Sequence, residues 1–362
     1  MAQDLPPEIV DLIVEQFQLT TRDDKRCIAR MGLVCKDWLP SSRYRFFSDV
    51  DLNDHTSGPF LAVLENTPFP VTNYIRSLGL SFAGREDTFE IEAMLRTLGH
   101  LPLVKTLRIT LNDQVLAGNA SLITELFPGT THLVFRGIPL ALNSILSTAM
   151  GFHSLKSLKL DWVDVVAASE SDEPLSSYHL SPKLESIELD PLDPGNGNTF
   201  FGAILGLHPV PVISSLSIRE VNPSEPSSLG RYLLHLGSAL RHLRMESPSR
   251  DAPRDHLTAL RYCTGLQQLD LVYHHGSDVG TSVSRAISII ESRTLTVITV
   301  LHKSSVDTSP SEWQAVDEQL ADSQFAKLQV FRLGSIEPGL VRTAFENMPM
   351  ASRRGILRSV KI

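Results

Sequence analysis

Cysteine is scarce in this sequence, and its positions follow no regular spacing. The three cysteines are Cys27, Cys35 and Cys263. An odd number of irregularly spaced cysteines argues against a framework of disulfide bonds and favours a reducing compartment, so we expect the protein in the cytoplasm, the nucleus or both. Cys27 and Cys35 also have no histidine at the spacing of a metal site, and we expect no bound metal there.

The sequence also lacks an excess of positive charge and a long apolar run. Lys and Arg number 33 and Asp and Glu number 41, which gives a formal net charge of −8. Because nucleic-acid binding relies on clustered Lys and Arg, no nucleic-acid partner is expected. The longest uncharged stretch, residues 194–218, contains three prolines and four glycines, whereas a membrane span needs about 20 predominantly apolar residues. Asp4, Glu8 and Asp11 interrupt the N-terminus, so neither a signal peptide nor a membrane span is predicted.

Known catalytic motifs are missing as well. No P-loop, nucleophile-elbow or zinc-protease pattern occurs. The adjacent residues His274 and His275 would point to opposite faces of a strand, which makes them poor joint ligands of a metal ion. We therefore expect no enzymatic activity and no cofactor.

What the sequence does contain is a repeat. Its composition, with 42% hydrophobic and 20% charged residues, is that of a globular protein. A pattern of six residues recurs, as in "VKTLRI" from Val104 and "LKSLKL" from Leu155. Its first, fourth and sixth positions are apolar, and the other three positions vary. The copies begin at residues 47, 75, 104, 130, 155, 184, 213, 240, 266, 295, 328 and 357. This spacing averages about 28 residues, which is typical of a solenoid of small structural units.

Each copy of the repeat has the alternation of a half-buried strand. Its fourth and sixth positions share one face, while the third and fifth positions are mostly polar and face the other way. Between copies the apolar spacing changes to that of a helix, for example at Ile91, Leu95 and Leu98. Each unit is therefore predicted to be a strand, a loop and a helix, and stacked units would pair their strands in parallel.

This pattern resembles the leucine-rich repeat family. The resemblance implies an α/β solenoid with a curved parallel sheet and outer helices, and we expect about 11–12 strand–helix units over residues 49–362. The family often carries Asn or Cys three residues after the last apolar strand position, and here only Asn112 fits. The usual ladder of asparagines is therefore expected to be missing.

The first 48 residues are predicted to form a separate unit of three short helices. The stretches "LPPEIVDLIVEQF", "IARMGLVCKDWLP" and "RYRFFSDVDL" resemble the F-box, a three-helix module. The matching residues are Leu5, Pro6, Glu8 and Ile9 in the first block and Leu33, Val34, Cys35, Lys36 and Trp38 in the second. The whole layout resembles F-box proteins with leucine-rich-type repeats, a style abundant in mushroom-forming fungi.

The resemblance implies a role in protein recognition. F-box modules dock on the Skp-type adaptor of a cullin-RING ubiquitin ligase, and the repeats then present a protein substrate. By resemblance, the adaptor-facing or interface-supporting residues would be Leu5, Pro6, Ile9, Ile13, Leu33, Val34, Cys35 and Trp38. The alternative is a repeat scaffold that binds partner proteins without a ligase.

The polar strand positions suggest where a substrate could bind. Their charges run plus, minus, plus along the repeats, and a partner with the opposite pattern would be steered to this concave face. The alternative is a solvated surface of mixed charge. The candidate substrate-binding residues are Arg108, Arg136, Lys159, Glu188, Arg219, His242 and Arg244.

Overall fold

The computed structural model describes residues 6–17, 22–34, 36–67, 70–82, 84, 88–167, 178–190, 196–219, 228–247, 258–274, 279–303 and 310–361. The chain divides into two compact units, residues 1–156 and residues 157–362. Each is described separately below. The predicted domain boundary at residue 48 lies inside the first unit and stays a prediction.

The first unit begins with helices and continues as alternating strands and helices. Its helices are α1 (Pro7–Glu15), α2 (Arg22–Met31), α3 (Leu39–Phe47), α4 (Ser57–Asn66), α5 (Thr88–Leu98), α6 (Asp113–Leu126) and α7 (Leu142–Met150), with 3-10 turns at Lys36–Trp38 and Val71–Asn73. Its strands are β1 (Asp49–Asn53), β2 (Ser77–Phe82), β3 (Thr106–Leu111), β4 (His132–Arg136) and β5 (Pro139–Ala141). Helices α1, α2 and α3 lie before residue 48, and the predicted F-box module in this region stays a prediction.

The second unit repeats the strand–helix alternation. Its strands are β6 (Ser157–Asp161), β7 (Asp164–Val166), β8 (Ser186–Asp190), β9 (Ser215–Arg219), β10 (His242–Ser247), β11 (Gln268–Tyr273), β12 (Val297–His302), β13 (Val330–Ser335) and β14 (Leu357–Val360). Its helices are α8 (Asn196–Gly206), α9 (Ser228–Leu236), α10 (Val279–Ile289), α11 (Pro310–Leu320), α12 (Pro338–Glu346) and α13 (Pro349–Arg353), with 3-10 turns at Gly237–Ala239, Leu260–Tyr262 and Ser323–Phe325.

The predicted repeat is confirmed as a mixed α/β fold with twelve parallel strands flanked by helices. Four of these strands, β1 to β4, lie in the first unit and eight, β6 and β8 to β14, lie in the second. Of these twelve strands, all except β14 begin two residues after the start of their sequence motif. The fold is therefore solenoid-like, because consecutive copies of one short motif supply neighbouring strands.

The strand register explains why the motif has its spacing. Neighbouring strands pair so that identical motif positions face one another, as in Leu78 with Leu107 and in Leu243 with both Leu216 and Leu269. These leucines are buried, whereas the positions on either side of them are half-buried or exposed, except for the buried Gly79. The fourth and sixth motif positions thus line the core, as the alternation predicts.

The helices also follow their predicted apolar faces. Ile91, Leu95 and Leu98 of α5 are buried, and so are most apolar residues of α7 and α10. Asn112, the one residue that fits the family's asparagine position, caps α6, where its side-chain oxygen accepts a hydrogen bond of 2.9 Å from the Val115 N–H. It therefore satisfies one of the donors left open at a helix start.

Two glycines occupy the same place in their repeats, immediately before a strand motif. A Cβ atom at Gly129 would overlap the carbonyl oxygen of Pro102, and one at Gly265 would overlap the carbonyl oxygen of Ser238. In both cases the obstacle is the backbone of the preceding repeat, which cannot rotate away. Close stacking of these repeats therefore requires glycine at this position.

We predict that Gly265→Ala lowers the free energy of unfolding by about 1–3 kcal/mol, because the added methyl group must push two backbones apart. The matched control is Gly339→Ala in α12, where a Cβ would meet no atom within 4 Å. The control should be neutral or stabilising by about 0.4–1 kcal/mol, since alanine restricts the unfolded chain. Urea unfolding of both variants tests this, and equal stability of the two would contradict the stacking argument.

Candidate functional site

The N-terminal helices have a small core of their own. Val10 and Val14 of α1, Ile28 of α2 and Trp38 are buried together. Ile13, Phe17, Met31 and Phe46 pack against them. Trp38 is only 8% exposed, so this predicted adaptor residue supports the surface from beneath and does not line it.

Apolar side chains remain on the surface of these helices. Ile9 is 41% exposed, Leu12 55%, Leu33 83% and Val34 52%. Ile9 and Leu12 belong to α1, and Leu33 and Val34 belong to the turn after α2. We use the name apolar patch for these four residues together. Helix α1 thus has apolar residues on two sides, with Val10 and Val14 turned inwards and Ile9 and Leu12 turned to solvent.

The remaining predicted adaptor residues are distributed as follows. Pro6 is exposed and Ile13 is half-buried. Leu5 and Cys35 lie outside the described residues. Leu12, which the sequence comparison with the F-box did not single out, belongs to the patch. Helix α1 has more apolar residues than one buried face requires, and this excess could have indicated that Leu12 is exposed.

A cleft of about 660 Å³ opens beside the same helices, between α1, the 3-10 turn before α3, and α3 itself. Asp11 and Glu15 line it from α1, and Tyr44 and Tyr74 line it from other elements. Neither Ile9 nor Leu12 is among its lining residues. The cleft and the apolar patch are therefore different surfaces of α1.

In the first unit, the exposed face of the sheet holds a cluster around Arg108. The guanidinium of Arg108 pairs with Asp49 at 2.6 Å and Asp51 at 2.7 Å, and it also bonds the Ser77 hydroxyl. Burial alone would lower the pKa of Arg108, but the hydrogen bonds and charges of Asp51 and Asp49 raise it above its ordinary value. Gly79 of β2 lies between Asp51 and Arg108. Because glycine has no side chain, the two charged groups have room to meet there.

In the second unit, ion pairs cross the same kind of face. Lys159 Nζ lies 2.6 Å from Glu188 Oε1 on the next strand. Arg219 joins two strands at once, with Nη1 2.5 Å from Asp190 Oδ2 and Nε 3.0 Å from Glu246 Oε2. Burial raises the pKa of Asp190, and the charge of Arg219 opposes that effect.

Glu246 is the centre of this second cluster. Its side chain is 1% exposed, and it accepts contacts from Arg219, from Arg244 at 3.6 Å, from Lys303 at 2.6 Å and from the His274 imidazole. Burial would raise the pKa of Glu246, but the hydrogen bonds of Lys303 and His274 and the surrounding charges lower it to about 2. The carboxylate therefore stays ionised in the folded protein at neutral pH.

These pairs change the interpretation of the predicted charge pattern. Arg108, Lys159, Arg219 and Arg244 exist as predicted on the exposed face, but each is engaged by a carboxylate from its own unit. Arg136 and His242 are exposed strand residues. The plus, minus, plus order is thus neutralised across the strands in large part, and binding of a substrate here stays a prediction.

The sequence analysis missed the acidic partners Asp49, Asp51 and Glu246 and the distant Lys303. For Glu246 a signal existed, since it lies two residues after Arg244 and shares its strand face. Lys303 gave no signal, because it lies 57 residues from Glu246 along the chain. Only the parallel register brings the two together.

Two other properties bear on the kind of site. No helix in the described part of the chain reaches the length and apolarity that crossing a membrane requires. Within those same residues, no three side chains of His, Cys, Asp or Glu gather in a way that could hold a metal ion.

We predict that Glu246→Gln lowers the free energy of unfolding by about 1.5–3 kcal/mol at pH 7, because it removes a buried carboxylate that accepts charge-assisted hydrogen bonds from Lys303 and Arg219. The matched control is Glu188→Gln, which removes a pair whose carboxylate is 43% exposed and should cost less than about 1 kcal/mol. Urea unfolding at neutral pH compares the two variants. Equal losses would show that the Glu246 cluster is no stronger than a surface ion pair.

The same residue gives an expected dependence on pH. Because the folded-state pKa of Glu246 is about 2 and its ordinary value is 4.5, its stabilising contribution is complete above about pH 4.5 and is lost as the pH falls towards 2. The stability gap between the natural protein and Glu246→Gln should therefore narrow over that interval. A gap that stays constant down to pH 2 would contradict the lowered pKa.

Comparison with known proteins shows no family for this chain. No family model matches it, and no curated protein matches it. Among solved structures 33 chains match, and one of them is a crystal structure of a Bacteroides fragilis protein. That protein has 12% identity and a TM-score of 0.38, over 76% of this chain and 72% of its own.

Proposed function

We propose that this protein is the substrate-recognition subunit of a ubiquitin ligase of the Skp-cullin-F-box type. The N-terminal helices dock on a Skp-type adaptor, and through it on a cullin-RING ligase, while the repeats bind the target protein. The observation that carries the proposal is the exposure of Ile9 and Leu12 on α1 and of Leu33 and Val34 in the turn after α2, within the stretch that carries the F-box-like motif.

The energetics of the apolar patch support docking of a partner. Burying one such side chain stabilises an interface by about 1.5–3 kcal/mol relative to leaving it in water. A group of four on one small helical unit is typical of a surface that another protein covers. Beneath it, the core of Val10, Val14, Ile28 and Trp38 holds the helices together.

The repeats supply the second part of the function. They carry no motif for chemistry of their own, so the protein contributes proximity between the bound target and the ubiquitin-charged enzyme. Among the described residues, the charged strand faces and the exposed side chains that follow strand ends, such as Trp162, are surfaces available for recognition. A ligase-independent scaffold remains the alternative, and adaptor binding separates the two.

We predict that the double variant Leu33→Asp and Val34→Asp abolishes capture of a purified recombinant Skp-type adaptor by the full chain. Both side chains are more than half exposed, so the fold should be retained, while two charges in an apolar interface cost several kcal/mol of binding. The measurement is a pull-down or a titration calorimetry experiment with equal amounts of natural and variant protein.

The matched control is Leu234→Asp in α9, which is 53% exposed in the second unit and should bind the adaptor normally. Point variants are preferable to removal of residues 1–48, because the backbone oxygen of Ser48 accepts hydrogen bonds from Arg76 and Ser77 at the start of β2. A natural protein that fails to bind the adaptor would refute the ligase role and favour the scaffold.

A further inference from the structure

Trp162 has an unusual backbone conformation and an unusual exposure. It follows β6 in the second unit with φ of +58°, which is the left-handed region that bulky residues rarely adopt. Its N–H donates a hydrogen bond of 2.5 Å to the carbonyl oxygen of Asp190 at the end of β8. The side chain is nevertheless 48% exposed.

The residues that follow fix Trp162 in place. Val163 and Val165 are buried, whereas Trp162 and Val166 are exposed. The alternation continues into β7, so the aromatic and the aliphatic side chain are both presented to solvent from an anchored backbone. A pre-organised side chain loses little conformational freedom when a partner binds, and tryptophan is enriched among residues that dominate binding energy.

The fold itself gives no reason for tryptophan at this position. Glycine or asparagine adopts φ near +60° at lower cost, and 48% of the Trp162 surface stays in solvent. A strained backbone conformation at a residue whose side chain stays half exposed indicates a functional role for that side chain.

The charges near Trp162 indicate what kind of partner it faces. Strands β6, β7 and β8 carry four carboxylates and one lysine, and Arg219 is the cation on the next strand; the carboxylates are Asp161, Asp164, Glu188 and Asp190. Lys159 and Arg219 pair with three of these carboxylates, and the formal charge of β6 to β9 is still −2, from four carboxylates and two cations. An aromatic face beside excess negative charge favours a cationic side chain, since cation–π attraction and Coulomb attraction then act together.

We infer that Trp162 and Val166 form a docking site for an extended segment of a target protein that carries arginine or lysine next to an aliphatic residue. The cationic group would lie over the indole, and the aliphatic group would contact Val166. This inference rests on the proposed function, because it specifies the class of substrate that the second unit recognises.

The three tryptophans of the chain provide a direct reporter. Trp38 is 8% exposed and Trp313 is fully buried, so quenching of fluorescence by acrylamide reports mainly on Trp162. The probes are short synthetic peptides in which arginine or lysine alternates with leucine or valine. Matched peptides carry glutamine or glutamate at the basic positions. We expect the basic peptides to protect the fluorescence from acrylamide and the other two sets to leave it unchanged.

The decisive variant is Trp162→Asn, which keeps the net charge and relieves the backbone. It should bind the basic peptides at least tenfold more weakly, as measured by titration calorimetry, with a melting temperature equal to or above that of the natural protein. The control Tyr262→Asn removes another half-exposed aromatic residue of the second unit and should leave peptide binding unchanged.

Two outcomes would overturn the inference. Equal binding of the basic peptides by the natural protein and Trp162→Asn would show attraction to overall negative charge alone. A lowered melting temperature of Trp162→Asn with unchanged peptide affinity would show that the indole has a structural role. Adaptor capture, measured on the same proteins, is expected to be unaffected by Trp162→Asn, so a failure here is distinguishable from a failure of the proposed ligase role.

Discussion

The parallel register of the strands is the constraint on which the rest of the structure depends. It places the same motif position of consecutive repeats side by side, as Leu216, Leu243 and Leu269 show. A slip by one residue would turn these leucines to solvent and the charged positions into the core. Neighbouring strands lie about 4.8 Å apart, and this spacing also sets the reach of each ion pair across the sheet.

The same register explains why most charged side chains on the exposed sheet face bond to one another. Arg219 lies between Asp190 and Glu246 because the three occupy the same place in successive strands, and its guanidinium can bond to both neighbours. A partner that binds these groups must compete with existing hydrogen bonds. Recognition is then more favourable at groups that the sheet does not use, such as the exposed side chains after strand ends.

The fold could be predicted from the sequence to a large extent because its information is local and repeated. The motif itself fixed the strands and their buried faces, and the change of apolar period located helices such as α5. The Glu246 cluster could not be predicted, since Lys303 joins it only through the pairing of several strands. The conformation of Trp162 had no sequence signal, because glycine or asparagine normally marks a left-handed residue.

Helix α1 carries apolar residues on both its inner and its outer side. Its inner residues, Val10 and Val14, belong to a core that comprises four buried and four partly buried apolar side chains among the described residues, and so small a core contributes little stability by itself. A partner that covers Ile9 and Leu12 would bind the folded helices and not the unfolded chain, so it would add its binding free energy to their stability. Docking and folding of the N-terminal helices are therefore thermodynamically linked. Under the proposed docking on an adaptor, the exposure of the apolar patch and the small size of the core have one physical explanation.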